Sequence, residues 1–262
     1  MENKTNYNTT KQILMGVQAP SETNTYKPFT HAQVIDLTLE GLHQAGFKLE
    51  DELYTSAREG QVANARYVIS NVADNEMKFQ IGWQNSLNKS LSLKWASGVR
   101  IIICKNGVVN GDFGAFKKKH QGDIAEFSPK HISEYIKRAG DTFKQMQEQR
   151  EAMKQVEIDE SVTAHLVGEM FMNNDFITST QLNIIKREIQ VPSFDYGADN
   201  SLWQLYNHLT FSMKDIHPSL WMENHMQAHK FFVNQAGILV NSNKNEAIDE
   251  YHISPNQVKL EL

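Results

Sequence analysis

Seven cations, Lys89, Lys94, Arg100, Lys105, Lys117, Lys118 and Lys119, stand between residues 89 and 120 against one acid, Asp112, in a chain whose formal net charge is −5. A basic island in an acidic protein neutralises phosphates locally without drawing the whole molecule to polyanions. Lys94, Arg100, Lys105, Lys117, Lys118, Lys119 and His120 are therefore the candidate nucleic-acid contacts. Trp83, Trp95 or Phe116 would supply a stacking surface for bases if exposed. The competing reading is a solvated lysine face with no ligand and tryptophans that serve only the core.

Other chemistries are less complete. His225 and His229 have the spacing that puts two imidazoles on one helix face, but Met226, Gln227 and Ala228 lie between them, so the glutamate base of an H-E-x-x-H metalloprotease is missing and no metal site is expected. Cys104, the only cysteine, follows an aliphatic run and reads as a buried thiol. Gly107, Gly111 and Gly114 recur with hairpin turns and lead into no Gly-Lys-Ser/Thr string, so they do not form a phosphate loop. The acids are scattered, without the compact grouping a two-metal centre needs. A non-enzymatic protein without a cofactor is the expectation. Arg100, on an otherwise aliphatic strand, needs an anionic partner, either an internal carboxylate or a ligand phosphate.

Periodicity names the elements that must position these groups. Residues 1–28, rich in Asn, Thr, Lys and Gln, read as a flexible arm, and 241–262 as a C-terminal tail, leaving one domain over 29–240. Thr30 is the N-cap for a helix over 31–45. From residue 53 to about 113 the period is two. Phe79, Ile81 and Trp83 alternate with Lys78, Gln80, Gly82 and Gln84, and Leu91, Leu93 and Trp95 with Ser92 and Lys94, which predicts an antiparallel hairpin with one wet face. A strand over 99–104 is expected to meet one over 108–113 across Asn106-Gly107, a pair suited to a type I′ turn, with 67–72 as a fifth strand. Beyond Pro129 the pattern is helical. Ile132, Ile136, Phe143, Met146 and Met153 draw an apolar stripe along a helix reaching about Val156, the expected face of a homo-oligomer. Thr178 with Gln181 and Ser201 with Gln204 form capping boxes for two further helices, and a last helix covers 218–235. The predicted class is α+β: an antiparallel β-meander packed against helices, with a helical C-terminal half.

Four strings together resemble a known family. They are Asn85-Ser86, the run Arg100-Ile101-Ile102-Ile103-Cys104-Lys105-Asn106-Gly107, the basic run ending in His120, and Leu202-Trp203-Gln204-Leu205-Tyr206-Asn207-His208-Leu209-Thr210. In that order they are similar to the phage- and plasmid-related family called domain of unknown function 932, over roughly residues 60–230. The resemblance implies a phage or plasmid setting and brings no catalytic residue to carry over. It also marks a departure: after the Asn-Ser pair, members often have an Asp-Gly-type turn, whereas this chain has Leu87-Asn88-Lys89.

The 262 residues, 40% hydrophobic and 22% charged with only 14 Gly and 6 Pro, exclude collagen-like and disordered classes. The longest aliphatic run is too short to span a bilayer, and the first ten residues lack the apolar stretch of a secretory signal. A cytoplasmic protein without a membrane partner is expected, in the host cell if phage-encoded. The expected function is nucleic-acid binding, single-stranded DNA first, in replication, recombination or protection. The alternatives are a protein-interaction factor that modulates a host system and, third, a metal-dependent nuclease.

Overall fold

The alternating stretch between residues 77 and 101 becomes the centre of the molecule. The computed structural model describes residues 7–69, 74–109, 116–120, 129–173 and 176–249, side chains at 109, 116–118 and 240–249 excepted. In it, β1 (Asn8–Thr9), β2 (Leu49–Ala57), β3 (Val62–Ile69), β4 (Met77–Ser86), β5 (Leu93–Ile101) and β6 (Gly107–Val109) form an antiparallel sheet in that order. β7 (Phe116–Lys118) shares the outer edge of β5 with β6, β6 pairing at residues 98–100 and β7 at 93–95. The helices are α1 (Lys11–Met15), α2 (His31–Gln44), α3 (Pro129–Lys154), α4 (Glu160–Gly168), α5 (Ser179–Gln190), α6 (Leu202–Ser212) and α7 (Trp221–Asp249). The fold is α+β, with the sheet in the N-terminal half and helices filling the C-terminal half.

One sheet face carries Tyr67, Phe79, Ile81, Trp83, Trp95, Val99 and Ile101, all buried in one core with Ile35, Ile136, Phe143 and Leu209 from the helices. The indole N–H of Trp83 donates to Tyr67 Oη at 3.0 Å and that of Trp95 to Thr38 Oγ1 at 2.9 Å, so both rings are enclosed with their polar ends satisfied. Neither offers a face to a base, which removes them as stacking residues; the Phe116 side chain lies outside the described residues.

The face expected to be wet is covered. Asn64, Gln80 and Gln84 are buried; Trp221 of α7 lies against Gly82 between the two glutamines, and Gln80 lies beside Gly107 of β6. A Cβ at Gly82 would meet Trp221 Cη2 at 2.6 Å, so only glycine admits this ring against β4. Asn64 Nδ2 donates to Pro218 O at 3.2 Å and Lys94 pairs with Glu223 at 3.5 Å.

Several boundaries differ from expectation for physical reasons. β5 is continuous, since Leu93, Trp95, Ser97, Val99 and Ile101 keep one alternation through the small residues 96–98. The chain reverses over residues 102–105, where Lys105 takes the left-handed conformation at φ 58 and Ile101 N–H donates to Asn106 O at 2.8 Å. Asn106-Gly107 is therefore not the turn. Gly107 sits in β6 opposite Arg100, and a Cβ there would come within 3.2 Å of Gln80 Nε2. The 110–113 part of the strand predicted after this turn lies outside the described residues, as do residues 70–72 of the one predicted over 67–72, which forms the end of β3.

Residues 7–28 do not form a loose arm. β1 pairs with β2, Leu14 is completely buried and Tyr26 nearly so, and these apolar anchors hold an otherwise polar stretch to the globule. The α3 stripe also faces inward. Ile132, Ile136, Phe143, Met146 and Met153 belong to the monomer's own core, so the argument for self-association through this helix fails. Its C-terminal half is pinned by charge. Arg150 Nη1 reaches both Asp74 carboxylate oxygens at 2.8 and 3.0 Å, and Gln147 Nε2 adds a bond of 2.6 Å. Burial alone would raise the Asp74 carboxyl, but these donors with the amides of Glu76 and Met77 hold it down to about 2. The last helix starts three residues later than expected and continues to Asp249, into the segment read as a tail.

Candidate phosphate-binding cleft

The Asn85-Ser86 pair ends β4 and builds the turn that follows. Ser86 Oγ accepts from Leu91 N–H at 2.8 Å and donates to Leu91 O at 3.1 Å, closing the loop over residues 87–90, in which Lys89 is left-handed at φ 67. Asn85 Nδ2 donates to Phe29 O at 2.8 Å and to His31 Nδ1 at 3.2 Å, and His31 Nε2 in turn contacts Gly60 O at 2.8 Å. Burial keeps His31 neutral, with its pKa down to about 4. The pair thus ties the N-terminal segment to the sheet beside the β4–β5 turn.

His120 completes the junction. Phe29 N–H donates to its Nδ1 at 3.2 Å, Lys27 N–H donates to its carbonyl at 2.9 Å, and its ring packs against Tyr26 and Phe29 at centroid distances of 5.3 and 5.0 Å. An imidazole that accepts at Nδ1 and is kept neutral by burial carries its proton on Nε2. That Nε2 is enclosed beside the Leu91 backbone, the residue being only 6% exposed.

In front of this junction lies a cleft of about 210 Å³, with Thr25 and Tyr26 on one wall, Lys89, Ser90 and Ser92 on another, and Lys119 and His120 completing it. The Lys89 ammonium stands 4.8 Å over the Tyr26 ring. Two ammonium groups, the four hydroxyls of Thr25, Tyr26, Ser90 and Ser92, and His120 line the cleft without a carboxylate; the Tyr26 and Ser90 hydroxyls donate to Leu87 O and Asn88 Oδ1, which leaves the ammonium groups as the charged donors suited to a phosphate.

The seven residues singled out from the sequence are divided by the fold. Lys119, exposed, and His120, buried, belong to the cleft. Lys94 and Arg100 lie on the α7-covered face, Lys94 paired with Glu223 and Arg100 with Asp51, whose carboxyl the guanidinium bond holds low. Arg100 thus finds the internal carboxylate. Lys105 is exposed in the turn after β5. Lys117 and Lys118 stand in register with Lys94 and Leu93. Thr25, Tyr26, Ser90 and Ser92 were not legible as site residues, since they come from the supposed arm and an ordinary polar turn; the only signal was the unusual Leu87-Asn88-Lys89 after the Asn-Ser pair.

The other two family-like strings meet elsewhere. Asn106 Nδ2 donates to Thr210 Oγ1 at 3.0 Å and to Asn207 O at 3.3 Å, joining the start of β6 to α6. Asn106→Ala is expected to lower stability by about 1–3 kcal/mol, because buried partners lose their donor; urea melts check this, and an unchanged midpoint rejects a structural role. Burial pushes the Cys104 thiol up, away from a reactive thiolate. His229 is engaged by Tyr206 Oη at 3.1 Å and Gln149 Oε1 at 3.0 Å.

A family model described as Domain of unknown function (DUF932) matches residues 20–230. The chain belongs to this family. No curated protein and no solved structure matches it. The part matched to DUF932 takes in both walls of the cleft, from Thr25 to His120, and the Asn106–Thr210 junction. No helix among the described residues is long and apolar enough to cross a membrane.

Proposed function

We propose that this DUF932 protein binds the sugar-phosphate backbone of single-stranded nucleic acid, DNA in preference, without catalysis, and serves replication, recombination or protection of phage or plasmid genomes in the cytoplasm. The observation that carries the reading is the cleft of about 210 Å³ lined by Lys89, Lys119, four hydroxyl side chains and His120, without a carboxylate, on an otherwise acidic protein. Lys27, exposed beside Tyr26 in the chain, adds a further cation. Fluorescence polarisation with single- and double-stranded DNA and with RNA, from about 25 to 200 mM salt, tests it. Three to four phosphate contacts give a log–log salt slope of about −2 to −3 on single strands. Replacing Lys89 and Lys119 together by Ala is expected to weaken binding at least about tenfold. Affinity unchanged in that variant, or no binding at low salt by the parent protein, defeats the proposal.

A protein-interaction role has its own support in a groove of about 1300 Å³ between α4, α5 and α6, with apolar walls including Val162, Val167, Leu182 and Ile189 and acidic lips at Glu157, Asp159 and Glu160. Ile189→Asp separates the two roles, since it alters the groove and leaves the cleft's affinity for DNA as it was.

A further inference from the structure

The two ammonium groups of the cleft ride on anchored backbone. Lys89 projects from the left-handed position of the 87–90 loop with its Nζ 4.8 Å over the Tyr26 ring, and the Tyr26 hydroxyl donates to Leu87 O of the same loop at 3.1 Å. A cation already held against an aromatic face loses little freedom on meeting an anion. Lys119 directly precedes His120, whose carbonyl and Nδ1 accept from the amides of Lys27 and Phe29. On the remaining wall Thr25 sits in a tight reversal, closed by Thr23 N–H to Tyr26 O at 2.9 Å and Tyr26 N–H to Thr23 O at 3.3 Å.

Size and charge make this a seat for one phosphate rather than a track for a strand. Proteins that hold single strands along their length use a basic groove spanning roughly 4–16 nucleotides. The cations of β4 and β5 that would continue such a groove are neutralised, Lys78 by Glu50, Lys94 by Glu223 and Arg100 by Asp51. Lys105 stands in the turn beyond the far end of β5, separated from the cleft by about 30 Å of strand. At about 210 Å³ the cleft is also smaller than the roughly 300–1,000 Å³ of pockets that enclose a whole drug-sized ligand, so it takes a phosphate and little more. Two ammonium groups line it and no carboxylate does. A phosphodiester inside a strand brings one negative charge, whereas a terminal phosphomonoester brings about −1.5 to −2 at pH 7 and three acceptor oxygens. Only the terminal group balances both cations.

Resting on the reading of this cleft as a nucleic-acid site, we infer that it seats a terminal phosphate, so that the protein recognises the phosphorylated ends of single strands rather than their interior. Lys89 and Lys119 pair with the dianionic group. The Thr25 and Ser92 hydroxyls donate to its oxygens, those of Tyr26 and Ser90 being taken by Leu87 O and Asn88 Oδ1.

Fluorescence polarisation with an oligothymidylate of about 12 nucleotides, labelled on an internal base and carrying a 5′-phosphate, a 3′-phosphate or hydroxyls at both ends, reads the seat at low salt. One phosphorylated form is expected to bind at least about tenfold more tightly than the hydroxyl-ended form, and which of the two does so names the end. Lys89→Gln combined with Lys119→Gln is expected to erase that preference; both side chains are exposed, so the variant keeps the fold, which a urea melt checks. A circular single strand, which has no ends, is expected not to displace the phosphorylated form at equal nucleotide concentration. Equal affinity for all three forms, or displacement by the circle as effective as by the linear phosphorylated strand, overturns the inference and leaves the single-strand reading standing. No binding of any form removes both. A preference that survives in the double variant places the seat elsewhere and overturns the inference as well.

Discussion

Lowering the pH from 7.5 to 5 is expected to destabilise this protein steeply. Burial holds His31 and His208 down to about 4 and His225 to about 3, all below the 6.5 of a free imidazole. Each is neutral in the folded state and charged in the unfolded one over the interval between, so the unfolded chain binds the extra proton and stability falls as pH falls. The contribution is complete above about pH 6.5 and is lost progressively down to the folded values. One such histidine gives about 1.4 kcal/mol per pH unit, so His31 and His225 alone give about 3 kcal/mol per pH unit, with His208 adding to it. The Asp74–Arg150 pair does not interfere, since Asp74 stays ionised until well below pH 4. Urea midpoints at pH 7.5, 6.5, 5.5 and 5 measure the slope, and His225→Gln is expected to flatten it. A constant midpoint across this range would show that these rings titrate normally.

Trp83→Ala and Trp95→Ala are expected to unfold the protein at ordinary temperatures rather than to weaken a ligand contact. Each ring is completely buried, and large-to-small replacement of such a side chain costs about 3–5 kcal/mol, a large share of a typical domain's stability. Loss of the indole N–H also leaves Tyr67 Oη or Thr38 Oγ1 without its donor. Circular dichroism melts with parallel DNA titrations distinguish the roles. A variant that melts like the parent and binds DNA poorly would restore these tryptophans as stacking residues. Trp83→Phe, which keeps most of the apolar volume, is expected to fold with a lowered Tm and to leave DNA affinity unchanged.

Local pattern and tertiary placement diverge most clearly on β4 and β5. The two-residue alternation of Phe79, Ile81 and Trp83 against Gln80, Gly82 and Gln84 is written in the chain, and it places the tryptophans on one face without any knowledge of neighbours. Whether the other face meets water is not a property of those residues. It depended on Trp221, about 140 positions later, and on Gly82 lacking the Cβ that would have excluded its ring. The same distinction explains Asn106-Gly107. The dipeptide is well suited to a tight turn, but Thr210 and Asn207 capture the Asn106 side chain and Gly107 pairs with Arg100 in β6, so the reversal moves to residues 102–105.

By itself, the sequence determined what depends on neighbours within a few positions: the capped starts of α2 and α5, the long α3, the alternating strands, the α+β order and the strings that place the chain in DUF932. Capping, periodicity and charge density are local quantities, and a linear reading recovers them. Only the tertiary structure decided which cations meet a carboxylate. Lys94 and Arg100 look as available as Lys119 in the chain, yet Glu223 and Asp51 neutralise them, while Thr25, Tyr26, Lys89 and Ser92 become one cleft with Lys119 and His120. Charge can be counted along a sequence, but a counter-charge acts through space, and across an antiparallel sheet it comes from strands and helices far away in the chain.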